Sequence, residues 1–217
     1  MADPFWILLH ILVLVYWLGG DLGAFYASRL VADAERPAAG RLAAADILLN
    51  VDMAPRMGLV FAFPTGLAVS VSRGWLSVDW IWVWAAFAAG LIWALCAWLV
   101  HLKAGPAKLV KGLDTLIRLA ALAGLGLSAA AAFAGLVDAP HFIAAKWLLL
   151  ALAIVCGLLI RRALAPFGPA FAALAAGKAG QAENAAIRDS LAHAKRYVLT
   201  IWAALIAAAA LGVYTPA

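Results

Sequence analysis

Charge is what this sequence has least of. Asp, Glu, Lys and Arg make up only 12% of its 217 residues, against about 25% in soluble domains. Cysteine is almost absent: Cys96 and Cys156 each sit inside an apolar run with no C-x-x-C, so neither a disulfide framework nor a zinc site is supported. There is no Walker motif, no H-E-x-x-H and no G-x-S-x-G, which leaves ATPase and hydrolase readings without a motif. The opening MADPFW has no Lys or Arg before its apolar run and no convincing cleavage site. It is therefore read as a retained helix, not a signal peptide.

What is present is apolar surface: 67% of the chain is hydrophobic. A hydrocarbon core of ~30 Å needs ~20 apolar residues per helix. Six runs qualify, at about 5–27, 47–72, 78–100, 115–137, 142–161 and 197–214. The expected fold is all-α: one polytopic integral membrane bundle of six transmembrane helices filling residues 1–217. Pro37 and Gly40 mark a turn, with Arg41 to Asn50 as a short interfacial helix entering the second span. Arg73-Gly74, Gly105-Pro106 and Asp138-Ala-Pro140 mark further turns. Pro166 to Arg196 reads as a connection holding an amphipathic surface helix.

The net charge of +5 does not call for nucleic acid, because the cations lie in short loops between apolar runs and set membrane orientation. Arg29, Arg36 and Arg41 fall in loop one. Lys103, Lys108, Lys111 and Arg118 fall in or beside loop three. Arg161, Arg162, Lys178, Arg188, Lys195 and Arg196 fall in loop five. The opposite side has only Arg73. By the positive-inside bias both termini face outward, to the periplasm if the source is Gram-negative, and the expected location is a bacterial inner membrane. Trp6, Trp75, Trp80, Trp82 and Trp147 lie near the predicted outer boundary, as an aromatic belt should. Gly19-x-x-x-Gly23 permits close helix packing, and homo-oligomerisation is left open.

Ionisable groups inside a bilayer are costly, at about 3 kcal/mol for a charge near the centre, so they face the bundle interior and mark sites. In the first span His10, Trp17, Asp21 and Ser28 fall within roughly 20° of the direction of His10 on a helix. His10 lies about 10 Å below the start of its span, and Lys146 about 9 Å below Pro140 on another span descending from the same side. They form an outer level. His10 offers a metal ligand or proton relay, or a hydrogen-bonded core histidine. Lys146 can bind an anionic group such as a porphyrin propionate or a quinone oxygen, or snorkel to the interface.

Asp52 and Arg56, four apart, are placed to pair on one helix. With Asp21 they form an expected inner-level cluster, read as a helix lock or as an anion or proton site. Pro55 loosens the helix entry there. Met53 and Met57 could ligate haem iron or copper(I). His141 could join His10 around a metal.

Several short elements occur in an order that resembles the HemJ-type membrane protoporphyrinogen IX oxidases and the wider CopD-like membrane proteins. Span one has LLH ending at His10, then Trp17, Gly19-Gly20 and Arg29. Span two has Met53-Ala54-Pro55 and an apolar run to Gly66-Leu67. Span five has Lys146, then Arg161-Arg162 and Phe167, and span six follows Lys195-Arg196-Tyr197. The HemJ-type resemblance implies a haem b-binding bundle that oxidises a porphyrinogen and passes electrons on. His10 would carry over as the iron ligand and Lys146 as a functional lysine. That family usually has about four spans, so spans three and four here would be an insertion.

The leading expectation is thus a haem-associated oxidoreductase: His10, Trp17 and Asp21 at the cofactor, Lys146, Asp52 and Arg56 as catalytic polar groups, and porphyrin or quinone as partner besides lipid. The alternatives are a copper or small-solute transport protein using Asp21, Asp52 and Arg56, and a non-catalytic membrane subunit.

Overall fold

The structure, a computed structural model, describes residues 4–102 and 107–214. Its regular elements are eight helices: α1 Pro4–Ala32, α2 Ala38–Val51, α3 Met53–Ser72, α4 Trp80–His101, α5 Ala107–Phe133, α6 His141–Ala163, α7 Phe167–Ala175 and α8 Gln181–Val213. No strand occurs among the described residues. Six stretches are long and apolar enough to cross a membrane, with α2 and α3 counting as one of 35 residues. The protein is a multi-pass, all-helical membrane protein in contact with lipid. Large side chains such as Leu8, Leu91, Leu127 and Ile206 are exposed along the helices. A bilayer, unlike water, leaves such groups at no disadvantage.

Several expected boundaries move, each for a local reason. The second span is broken at Asp52, where α2 ends and α3 begins. Asp52 keeps a helical backbone (φ −62°, ψ −12°) and its N–H still reaches the Leu48 carbonyl at 2.9 Å. Pro55, in the first turn of α3, has no N–H to give, so the ladder restarts there. The fourth span begins at Ala107, not 115, and ends at Phe133, not 137. Gly135 takes a left-handed φ of 71° just after it, the usual helix stop. Lys108 and Lys111, placed in loop three by the sequence, and Asp114, just ahead of the expected span, therefore lie inside the helix. The surface helix expected within 166–196 is divided: α7 is short, and the remainder runs unbroken into the last span as α8. Glu183 starts that helix by accepting the Gly180 N–H at 2.8 Å, one half of a capping box. Gly105-Pro106 lies outside the described residues.

Contacts divide the chain into two compact units. The first comprises residues 1–17, 56–154 and 204–217. The second comprises 18–55 and 155–203.

In the second unit, Val31, Ala44, Ala45, Ala170, Leu174, Ile187 and Leu191 form an apolar core from α1, α2, α7 and α8. Beside it Arg41, at the start of the expected interfacial helix, is only 2% exposed. Its Nε donates to the Val31 carbonyl at 2.9 Å and its Nη1 to Asn184 Oδ1 at 2.7 Å. The guanidinium thereby satisfies a carbonyl at the C-terminal end of α1, where the helix dipole favours a cation. Close approach in this unit uses Gly20 and Gly23, not the expected Gly19 and Gly23. A Cβ on Gly20 would stand 2.7 Å from both Ala54 Cβ and Pro55 Cδ, whereas one on Gly19 would meet nothing within 4 Å.

In the first unit, α4 and α5 are joined by a buried polar cluster. Trp93 Nε1 donates to Asp114 Oδ1 at 2.9 Å, and Arg118 Nε lies 3.3 Å from Asp114 Oδ2. The Arg118 guanidinium also lies over the Trp93 ring, 5.3 Å from its centroid. Asp114 and Arg118, four apart on α5, thus form a buried i, i+4 pair.

Candidate functional site

The first unit contains a cavity of about 380 Å³ walled by α1, α3, α6 and the last turns of α8, within the range of small-molecule sites. Its walls are mainly leucine, isoleucine, valine, alanine and aromatic side chains. His10, Lys146, Ser70 and Arg73 supply the polar groups.

His10 is oriented by α3. Its Nδ1 lies 2.8 Å from Thr65 Oγ1. The Thr65 hydroxyl proton goes to the Phe61 carbonyl at 2.6 Å. A hydroxyl has one proton, and when Thr65 gives it to the Phe61 carbonyl its oxygen accepts from His10. In the neutral ring this places the proton on Nδ1 and leaves the Nε2 lone pair unprotonated. Nε2 makes no hydrogen bond among the described residues. A backbone or side-chain acceptor on one nitrogen is the arrangement that readies the other to bind a metal. The ring is seated over Gly66, where a Cβ would meet His10 Cε1 at 3.3 Å.

Lys146 is held in a comparable way. A Cβ on Gly212 would stand 2.7 Å from Lys146 Nζ, so the ammonium rests against bare α8 backbone. Among the described residues it has no hydrogen bond or ion pair, yet it is within Coulombic range of His10. The floor of the cavity is Trp17, 3% exposed, packed on Gly58, where a Cβ would be 2.6 Å from Trp17 Cβ.

At the other end, α3 stops in a hook. The Trp75 N–H reaches the Ser70 carbonyl at 2.9 Å and the Gly74 N–H the Val71 carbonyl at 3.0 Å. Gly74 takes φ 72°, a left-handed conformation that glycine adopts without steric cost. The hook sets Trp75 beside Arg73, whose Cζ is 5.7 Å from the ring centroid. Trp75 in turn meets Phe142 edge-on at 5.1 Å.

Of the residues singled out by sequence, the structure brings His10, Trp17 and Lys146 onto one cavity. Asp21, Asp52 and Arg56 are not on its walls among the described residues. Asp21 and Asp52 belong to the second unit and Arg56 to the first, and none of the three is without a partner. Met53 and Met57 are also off the walls, and His141 stacks on Phe133 at 5.6 Å. Sequence reasoning passed over Thr65 and Gly212 and, as site residues, Gly66 and Arg73. The one available signal was Arg73, a lone cation on the side otherwise poor in Lys and Arg.

No protein-family model, curated protein or solved structure matches the chain.

The donor set limits what the cavity can hold. Among the described residues no three His, Cys, Asp or Glu side chains converge, whereas a bare zinc or copper ion takes several protein ligands. A lone oriented imidazole in an apolar cavity fits an iron whose other ligands come with it, in a macrocycle. Apolar walls suit the ring, and Lys146 suits an acidic substituent on it.

Proposed function

We propose that the protein is a haem-associated oxidoreductase of a bacterial inner membrane, of the kind that the HemJ-type resemblance implies. The observation that carries this reading is His10: one imidazole, its Nδ1 2.8 Å from Thr65 Oγ1, on the wall of an apolar cavity with no hydrogen bond to Nε2 among the described residues. His10 would bind the iron of haem b and Lys146 a propionate. Haem supplies one-electron chemistry, tuned by its axial ligand and surroundings. Thr65 fixes the tautomer and orientation of the ligand, Trp17 closes the apolar end, and the cavity walls keep water from the ring. Porphyrin or quinone is the expected class of reaction partner. Transport of copper or small solutes rested on Asp21, Asp52 and Arg56, and nothing in the cavity favours it.

The test is optical. Protein purified in detergent and supplied with haem b should give a reduced-minus-oxidised spectrum of a histidine-ligated b haem. His10→Ala should abolish it. Thr65→Val, which removes the acceptor from Nδ1, should keep haem but weaken its binding by about 10- to 100-fold, as loss of outer-shell partners typically does. Colourless wild-type protein that takes up no haem would remove the proposal.

A further inference from the structure

The polar groups of the cavity are not scattered. Lys146 rests against Gly212 near the end of α8, and Arg73 follows the last turn of α3. Arg73 stands seven residues beyond Gly66, so about 10 Å further along the α3 axis and on nearly the same face. The cavity thus runs from Trp17 past His10 and Lys146 to the exposed Arg73. Arg73 is exposed and, among the described residues, makes no ion pair. Its one described side-chain contact is with the Trp75 ring, which fixes the direction of the guanidinium and leaves its N–H groups for an acceptor.

We infer that Arg73 is a specificity-determining residue that holds a second acidic group of the ligand at the exposed, Arg73 end of the cavity. The cavity then selects an amphiphile with an apolar ring body and two carboxylates at one edge, the other carboxylate going to Lys146. The inference rests on the haem reading above and sharpens it. A ligand with both carboxylates esterified keeps the ring and the iron but offers nothing to either cation. Free acid and diester should thus bind alike except where Arg73 and Lys146 contribute.

The experiment is a Soret-band titration of the purified full chain with haem b and with its dimethyl ester. Wild type should prefer the free acid. Arg73→Gln should reduce free-acid affinity about two- to fivefold, the range of an exposed charge pair, and leave ester affinity unchanged. Arg73→Lys, which keeps the charge, should retain most of the preference. Raised salt should weaken free-acid binding to wild type more than to Arg73→Gln. Equal loss for acid and ester in Arg73→Gln, or no loss for either, would overturn the assignment and leave the haem reading standing. Failure of wild type to bind either compound would sink the haem reading, and the Arg73 assignment with it.

Discussion

Replacing Gly58 with alanine probes how tightly α1 and α3 must meet for Trp17 to form the floor of the cavity. The added Cβ would lie 2.6 Å from Trp17 Cβ, 2.8 Å from Cγ and 3.0 Å from Cδ2. Ordinary contact begins near 3.4 Å, so the helices must part by roughly 0.8 Å, enough to forfeit much of the dispersion contact along the seam. The obstacle is a Cβ fixed to the α1 backbone, so no rotamer change relieves it. Overpacking of this kind costs about 1–3 kcal/mol, against a gain of up to about 1 kcal/mol from replacing glycine in a helix. Net destabilisation of about 1–2 kcal/mol is expected, corresponding to a melting temperature lower by about 2–8 °C.

Two controls share the chemistry but not the obstacle. Gly19→Ala meets nothing within 4 Å, and Gly212→Ala meets the flexible tip of Lys146. Both should be as stable as wild type. Gly212→Ala should still alter haem affinity, because the ammonium must move. Fluorescence-detected thermal unfolding in one detergent reads all three. If Gly58→Ala melts with Gly19→Ala, the close α1–α3 seam is wrong, and Trp17 is not the floor.

Two further substitutions address structure away from the cavity. Arg118→Met should strand the buried Asp114 carboxylate between α4 and α5 and cost about 3 kcal/mol, as breaking a buried pair does. Asp114→Asn in the same chain should recover part of that loss, and additive effects would show that the two do not interact. Arg41→Met should leave the Val31 carbonyl and Asn184 without their donor. It should cost about 2–3 kcal/mol and speed proteolysis in the loops at Arg36 and Lys178. Unchanged cleavage rates would refute the anchoring role.

The sequence alone determined a great deal, because a bilayer admits few answers. Apolar runs of about 20 residues with charges confined to their ends can form only spanning helices, since every backbone polar group must be satisfied within the segment. That His10 and Lys146 could meet was equally legible, because rise per residue puts them at matching positions along their spans, and both line one cavity. Boundaries were less so: Asp114 fell just ahead of the expected fourth span because a buried ion pair and an interfacial one have the same composition. Which groups meet was decided by tertiary structure. Thr65 is one more hydroxyl in an apolar run until α3 packs on α1 and its oxygen meets His10 Nδ1. Gly66, Gly58 and Gly212 are indistinguishable from the open Gly19 until a side chain from another helix rests on each. Residues 55 positions apart become neighbours through close approach of two backbones, and that depends on the joint packing of all the walls, which no single helix encodes.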